Sequence, residues 1–395
     1  MAKTSGLRVH VLGAGCSYDE QRGYPLANGF LSELEIYAAK IHDQMDCQQI
    51  EKATQQTIRL LKHFQRQAFT VDKLISMILT KECDEKLTTD ARAANHTFKY
   101  QADLRYQAVR SAKISTAACF LEKEGQAMTY LMPKNQAFIR KIFDQDGISA
   151  PYTSSKLQNS NARVLTFNYD RLFELAFFCD GFASNTRNNL ERPLHFLNSG
   201  LHDNRLESGI VSIEKDRFCL LKMHGSLGML CEEDDFNQAI YGGEDLACWK
   251  QPEVTDEIFR STHFSSRVRA EPLIAFPWEK HFILDGKDNK ASFRDYISAV
   301  WNHAKSVFQE ASEIYIIGFS FSDEVDSKYL IDLMREAKDC HQIEVQNISQ
   351  DECDRISNLL RAELGFNGKI KTNLKPFGNE PAELASELNS TKLAA

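Results

Sequence analysis

Four short segments, far apart along the chain, carry residue types suited to binding a phosphate and moving a proton. They offer glycines, an amide beside a carboxylate, an imidazole, and a second glycine turn followed by serines. Each follows an apolar run typical of a buried strand, and open α/β sheets bind ligands at the carboxyl ends of their strands. The segments are Gly13-Ala14-Gly15-Cys16-Ser17, Thr166-Phe167-Asn168-Tyr169-Asp170, Lys222-Met223-His224-Gly225-Ser226 and Gly318-Phe319-Ser320-Phe321-Ser322-Asp323.

The first segment places Gly13 and Gly15 directly after a predicted strand. Such a turn lets backbone N–H groups approach a phosphate at a helix start, where the dipole favours negative charge. Glycine is also common in such turns for steric reasons alone. A hydride-transferring Rossmann enzyme would have a third glycine where Tyr18 stands, and an acid after a second strand about 20 residues further on. A helical stretch begins there instead, which argues against that class.

The segments around Asn168 and Gly318 each have a structural and a functional interpretation. In the first, Asn168 caps the next helix and Asp170 lies in its first turn, or both side chains point from the strand end into a cleft. In the second, the turn serves only to start a helix, with Ser322 or Asp323 as its cap, or it contacts a ligand.

His224 is the candidate general base. A histidine at a strand end is often only a structural hydrogen-bonding group, and the chain has ten others. His224 is favoured because its strand carries it to the same sheet edge as Asn168, and because Gly225 clears space beside the ring. With a reference pKa of about 6.5, an imidazole there can accept a proton from water or a hydroxyl group at neutral pH.

The elements that position these segments differ between two parts of the chain. Residues 30–145 contain one glycine, Gly125, and one proline, Pro133, and apolar residues recur there at spacings of three and four. This pattern predicts helices. One buried helix face is predicted from Leu60, Leu61, Phe64, Ala68, Val71, Ile75 and Ile78, and a second helix through Tyr106, Val109, Ile114, Ala117 and Phe120.

Elsewhere short apolar strands alternate with helices, which predicts an α/β fold with a Rossmann-like parallel sheet covered on both faces. We therefore expect residues 1–29 and 150–378 to form this unit, 30–149 a helical insertion, and 379–395 a flexible tail. Residues 180–212 are predicted to form a long loop. The predicted strands are 7–12, 164–167, 220–223, 273–276, 314–317 and 343–345, and the helices are 169–178, 293–311 and 327–337.

Composition narrows the function classes. A net charge of -8 provides no basic surface for nucleic acid. No apolar run approaches the ~20 residues that span a bilayer, and the first residues lack the apolar stretch of a signal peptide. The ten cysteines are scattered and include no C-x-x-C pair, which is typical of reduced thiols in a cytoplasmic protein.

Together the four segments resemble the Sir2 superfamily, and more narrowly its NAD-hydrolysing branch in bacterial defence proteins. The first segment, with Gly23-Tyr24-Pro25, is similar to the family's Gly-Ala-Gly-x-Ser and Gly-x-Pro. Residues Thr166 to Asp170 resemble its Thr-x-Asn-x-Asp, and Lys222 to Ser226 resemble the Lys-x-His-Gly-Ser of the narrower branch. The resemblance covers roughly residues 7–30 and 162–350.

The resemblance implies a substrate, NAD, and a role for each matching residue. Asn168 would hold the ribose or the attacking water, and His224 would act as base. Asp170 would meet the nicotinamide carboxamide, and Asn347 the adenine ribose. The complete set implied comprises catalytic Asn168 and His224, with substrate-binding Gly13, Ala14, Gly15, Ser17, Thr166, Asp170, Gly318, Ser320 and Asn347.

Two departures separate the chain from sirtuin deacylases. Only Cys231 and Cys248 lie where sirtuins carry two C-x-x-C pairs, so no zinc ribbon and no metal is expected. Leu26 to Phe30 replace the sirtuin Asp-Phe-Arg. The proline-bounded run 272–277, with Lys280, is similar to a strand of Sir2-like proteins, and Lys280 is expected to be solvated rather than to contact a phosphate.

The implied activity is hydrolysis of NAD to nicotinamide and ADP-ribose by an effector of abortive infection. Two alternatives stay open, an NAD-dependent protein deacylase and a non-catalytic module that senses NAD or ADP-ribose. Because such an effector must be silent at rest and the chain has no G-x-x-x-x-G-K-[ST] loop, we expect a homo-oligomer and a partner NTPase or sensor, for example a HerA-type DNA translocase.

Overall fold

The structure is a computed structural model. It describes residues 6–18, 23–26, 29–42, 48–64, 70–93, 101–150, 152, 154–181, 218–232, 239–241, 270–284 and 294–378. The loop predicted for 180–212 lies outside the described residues from position 182 onward, and so does the whole tail 379–395.

Six strands form one parallel sheet. They are β1 (Leu7–Leu12), β2 (Ala162–Thr166), β3 (Cys219–Lys222), β7 (Ala311–Ile317), β8 (Gln342–Gln346) and β9 (Lys369–Asn373). Their order across the sheet is β3-β2-β1-β7-β8-β9. Numbered within this sheet alone, the order is 3-2-1-4-5-6, the order of dinucleotide-binding doubly wound folds. The strand order reverses between β1 and β7, so the ligand-binding crevice of such a fold would lie beyond the carboxyl ends of these two strands.

A separate antiparallel sheet consists of β4 (Gly225–Glu232), β5 (Ala239–Tyr241) and β6 (Ala270–Ile274), with β4 in the centre. The prediction that the apolar run 273–276 belongs to the parallel sheet is therefore wrong. A short apolar run does not reveal which sheet it joins. Pro272 fits the observed place, because a proline lacks the N–H of an inner strand and β6 is an edge strand.

The described helices of the insertion are α1 (Phe30–Ile41), α2 (Gln48–His63), α3 (Val71–Leu79), α4 (Asp84–Ala93) and α5 (Gln101–Asp144). The single helix face predicted from Leu60 to Ile78 is wrong, because Leu60 and Leu61 lie in α2, whereas Val71, Ile75 and Ile78 lie in α3. Ala68 lies outside the described residues. The remaining helices are α6 (Ser154–Leu157), α7 (Leu172–Gly181), α8 (Pro277–Leu284), α9 (Arg294–Gln309), α10 (Glu324–Arg335) and α11 (Gln350–Leu364).

Helix α5 is 44 residues long and continues through Gly125 and Pro133. Its first half packs into the core of the helical insertion through residues such as Ala112 and Ile114. Its last turns pack against the sheet through Phe138 and Phe143. Burial along its whole length outweighs the weak helix propensity of the two residues.

The prediction of a sheet covered by helices on both faces is confirmed. On β1, Val9 and Val11 face the core formed with α9, α10 and α11. Leu12 faces the opposite core, formed with α5 and α7. Within the residues described above, no helix is both long and apolar enough to cross a membrane.

Candidate functional site

The loops that follow β1 and β7 lie against each other at the point where the strand order reverses. A Cβ atom added to Gly13 would lie 2.6 Å from the Gly318 carbonyl oxygen, and one added to Gly15 would lie 2.9 Å from Gly318 Cα. Gly318 itself has a φ of 61°, in the left-handed region that favours glycine. All three glycines are therefore required by this close approach, whether or not a ligand binds.

The glycine loop is tightly hydrogen-bonded within the protein. Residues Ala14–Cys16 form a single 3-10 turn rather than the start of a longer helix. The backbone amides of Gly13, Gly15, Cys16 and Ser17 each donate to a carbonyl oxygen, at 2.9 to 3.1 Å. The acceptors are the carbonyls of Ile317, Gly318, Gly13 and Ala14, respectively. That these amides contact a phosphate stays a prediction. To do so, they would have to give up their hydrogen bonds to these carbonyl oxygens.

Asn168, Ser17 and Asp170 form one hydrogen-bonded group beside the glycine loop. Asn168 Nδ2 donates to Gly13 O and to Ser17 Oγ, both at 3.0 Å. Ser17 Oγ donates to Asp170 Oδ2 at 2.6 Å. Within the described ranges no residue donates to Asn168 Oδ1, and Asn168 is only half-buried. This oxygen is therefore a polar group that a ligand can contact.

The capping role predicted for Asn168 belongs to Asp170. Helix α7 begins at Leu172, whose amide donates to Asp170 Oδ1 at 3.0 Å. Thr166 acts locally as well, because its Oγ1 accepts a hydrogen bond from the Asn168 amide at 3.1 Å. The structural interpretation of this segment thus accounts for Asp170 and Thr166 but leaves the Asn168 side chain directed at the loop after β1.

Buried ion pairs hold the segment that carries Asn168. Lys222 Nζ donates to Asp170 O and lies 3.0 Å from Glu174 Oε1. Arg171 makes a bidentate pair with Glu124 of α5, both distances being 2.7 Å. Since all of these side chains are buried, the position of the segment is fixed by charge pairing as well as by packing.

His224 is adjacent to this segment but is almost fully buried, with 2% of its surface exposed. Its ring packs against Phe167 and Tyr169, the residues on either side of Asn168, with centroids 5.5 and 5.6 Å apart. The structure therefore brings His224 and the Asn168 segment together. Gly225, expected to clear space beside the ring, is the first residue of β4.

Both ring nitrogens of His224 have partners within the protein. Nδ1 lies 2.7 Å from Ala275 O, and Nε2 lies 2.8 Å from Asp326 Oδ2. Burial alone would raise the pKa of the Asp326 carboxyl, but the charges and hydrogen bonds of His224 and Lys280 hold that pKa well below its usual value. Asp326 is thus a carboxylate, and a carboxylate only accepts hydrogen bonds.

Lys280 corrects the sequence prediction of a solvated lysine. Its side chain is fully buried, pairs with Asp326 Oδ1, and lies 4.5 Å from the centroid of the Trp301 ring. Burial lowers the pKa of Lys280, although Asp326 opposes the shift. Local sequence gave no sign of this, because the ion pair joins α8 to α10 across 46 positions.

The helical insertion adds Asp72 to the electrostatic environment of this cluster. Burial and the nearby carboxylates of Asp323 and Asp326 raise the pKa of Asp72, which follows the first residue of α3, to about 8. Asp323 caps α10, as predicted, by accepting a hydrogen bond from the Asp326 amide at 2.8 Å. Sequence reasoning did not select Asp72 or Asp326, since acids in a first helical turn are explained by the helix dipole alone.

Ser320 and Asn347 lie at the same sheet edge without hydrogen bonds to the Asn168 group in the described part of the chain. Ser320 Oγ is 2.7 Å from Ser322 Oγ. Asn347 Oδ1 accepts from the Ser349 amide at 3.1 Å. Their contact with a nucleotide stays a prediction. Among the described residues, no three His, Cys, Asp or Glu side chains are placed to hold a metal ion.

No protein-family model matches the chain, and no curated protein matches its sequence.

Proposed function

We propose that this protein hydrolyses NAD at the bond between nicotinamide and ribose. The observation that carries the proposal is the meeting of Ser17, Asn168 and Asp170 where the strand order reverses, beside the buried ring of His224. An amide, a carboxylate and an imidazole at the switch point of a sheet with dinucleotide-binding strand order suit this reaction. The motif resemblance to Sir2-like NADases points to the same substrate.

The reaction asks for positioning more than for strong acid or base chemistry. Nicotinamide is a cationic pyridinium in NAD and leaves as a neutral molecule, so its departure needs no acid. The ribose passes through an oxocarbenium-like state, as in glycoside hydrolysis. In this proposal Asn168 Oδ1 orients the ribose or the water, and His224 accepts the proton. Fixed groups of this kind lower the barrier by orientation and preorganised dipoles.

The test is chromatographic separation of nicotinamide, ADP-ribose and cyclic ADP-ribose after incubation of the purified full chain with NAD. His224→Ala should abolish nicotinamide release while the circular dichroism spectrum stays unchanged. His341→Ala is the matched control, because that ring is largely exposed. His341 directly precedes the amino end of β8, whereas the candidate site lies at the carboxyl ends of the strands. Equal release by wild type and His224→Ala would remove the imidazole from the mechanism.

A non-catalytic module that senses NAD or ADP-ribose is the second candidate. It is favoured by one observation, that both nitrogens of His224 are satisfied within the protein. Calorimetry that detects NAD binding, together with no nicotinamide release by wild type or any variant even with the proposed partner present, would favour the sensor over the hydrolase.

The resemblance to Sir2-like NADases also suggests a biological role, in which depletion of NAD ends infection of the host cell. We propose a homo-oligomer assembled through the helical insertion, together with a partner NTPase or sensor. Light scattering coupled to size exclusion tests the first part. A single species at the chain mass of 45.0 kDa would contradict it.

A further inference from the structure

Neither ring nitrogen of His224 is left for a ligand in this structure. Nδ1 faces the Ala275 carbonyl at 2.7 Å, and Nε2 faces Asp326 Oδ2 at 2.8 Å. The Ala275 amide in turn donates to His224 O at 2.9 Å. The Nδ1 contact thus belongs to a reciprocal pairing between the chain entering β4 and the chain leaving β6, whereas the Nε2 contact depends on a single side chain.

Both partners of the ring are hydrogen-bond acceptors. A backbone carbonyl only accepts, and Asp326 is ionised because Lys280 pairs with its other oxygen. Each ring nitrogen must therefore carry a hydrogen, as in an imidazolium. In that state the ring has no lone pair with which to take a proton from water or a hydroxyl group.

This arrangement differs from one in which a carboxylate orients a working base. An orienting carboxylate binds one imidazole nitrogen and leaves the other directed at the substrate. Here the second nitrogen is bound to the Ala275 carbonyl. Asp326 therefore occupies the only position from which Nε2 could meet a substrate.

The segment that precedes Asp326 contains a strained residue. Asp326 lies in the first turn of α10, which begins directly after the segment 318–323. Within that segment Phe321 has a φ of 53°, a left-handed conformation that is strained for a bulky residue. Phe321 is buried against Phe319, so packing maintains the strain. A shift of the first turn of α10 would break the Asp326 contact, whereas the Ala275 contact belongs to a different part of the chain.

We propose that Asp326 keeps the protein in a resting state, in which its carboxylate occupies Nε2 of His224, and that hydrolysis begins when this contact opens. The inference rests on the proposed function, because it specifies the control of the same site. It also gives a physical reason why an NAD hydrolase would be silent in an uninfected cell.

The hydrogen-bonding state of His224 can be measured without any activity. In long-range 1H–15N spectra of the histidine-labelled full chain at neutral pH, both ring nitrogens of His224 should resonate as protonated. His224→Gln identifies the signals. In Asp326→Asn the amide can donate to Nε2, so that nitrogen should resonate as unprotonated. A neutral ring in the wild-type protein would overturn the proposal.

Activity supplies the second measurement. Exchange of the charge-assisted hydrogen bond for a weaker neutral one should raise the rate of nicotinamide release by Asp326→Asn about tenfold over wild type. Asp326→Asn leaves the buried Lys280 without its charged partner. If this single variant fails to fold, the same rate is measured in Asp326→Asn/Lys280→Met. Asp332→Asn is the control, since this exposed residue of α10 pairs with exposed Arg335 and should leave the rate unchanged.

The two proposals fail in different ways. If the wild type releases nicotinamide as fast as both Asp326 variants, or faster, the proposed resting state is overturned. In that case, loss of release in His224→Ala would still support the hydrolase. If no protein in the set releases nicotinamide, the proposed function fails and the claim of control fails with it, and the spectra still report how His224 is bonded.

Discussion

Asn168 Nδ2 donates a hydrogen bond to Ser17 Oγ at 3.0 Å, which joins the loop after β2 to the loop after β1. Ser17 Oγ in turn donates a hydrogen bond to Asp170 Oδ2. Because two neighbouring strand ends are connected by side chains in this way, the orientation of Asn168 depends on Ser17.

Ser17→Ala should therefore reduce both the rate of nicotinamide release and the stability of the protein. Loss of the hydroxyl leaves Asp170 Oδ2 without its donor and allows Asn168 to reorient. We expect the free energy of unfolding to fall by about 1–3 kcal/mol and the rate to fall about tenfold or more. Urea denaturation and the chromatographic assay measure the two effects. Ser306→Ala removes an exposed hydroxyl and should change neither, and an unchanged rate in Ser17→Ala would show that Asn168 does not need this hydroxyl.

Gly13→Ala and Gly125→Ala should have opposite effects on stability. A Cβ at Gly13 would collide with the backbone of the loop after β7, whereas one at Gly125 would meet nothing within 4 Å. Gly125 lies inside α5, so alanine there should stabilise the protein by about 0.5–1 kcal/mol. Gly13→Ala should lower the melting temperature and abolish nicotinamide release. A fully stable, active Gly13→Ala protein would show that the two loops are not in contact.

The ion pair between Arg171 and Glu124 should be costly to break from one side. Both side chains are buried and the pair is bidentate. Arg171→Met leaves an unpaired buried carboxylate, which should lower the free energy of unfolding by about 3–5 kcal/mol. Arg171→Met/Glu124→Leu should recover part of this loss, because replacing both charges removes the unpaired one. Denaturant titrations of the single and double variants check this, and a double variant less stable than Arg171→Met would contradict it.

His10 should make the protein less stable as the pH falls. Burial, with the charges of Arg8 and Lys141, lowers the pKa of His10 from 6.5 to about 3. Between these values the unfolded chain binds a proton that the folded protein does not, so stability falls as pH drops below 6.5. The His10 ring stacks on the Tyr315 ring. Phenylalanine has a ring of similar shape and no titratable group, so it is a suitable replacement.

His10→Phe should therefore remove a pH dependence of at most about 1.4 kcal/mol per pH unit in that interval. Denaturant titrations at several pH values, with wild type and His10→Phe compared at each, measure the difference. Parallel pH profiles for the two proteins would show that His10 is accessible to protons in the folded state.

Sequence patterns were sufficient to predict the elements that have a distinctive local pattern of apolar residues. The parallel strands β1, β2, β3, β7 and β8 were predicted to within a few residues, because each is a short apolar run followed by a turn. The edge strand β9 was missed because its sequence, Lys369–Asn373, is largely polar. Strand β4 was missed because it begins at Gly225, which is typical of a turn.

The site was predictable only in part, for a physical reason. Asn168, Asp170 and His224 follow strands, so the topology of the sheet alone brings them to one edge. Asp326 and Lys280 belong to helices 46 positions apart, and their pairing depends on how α8 packs on α10. No periodicity or motif encodes such a contact, and a lysine in a first helical turn ordinarily suggests solvent exposure.

The most direct test of the account compares nicotinamide release from NAD by wild type, Asn168→Ala and Asn159→Ala. The control removes an exposed asparagine whose side chain donates to Ser155 O, four residues earlier, so its rate should equal that of the wild type. Asn168→Ala should release no nicotinamide above the rate without enzyme, while retaining the wild-type melting temperature to within a few degrees. Release by Asn168→Ala at the wild-type rate would contradict the proposal that this site hydrolyses NAD.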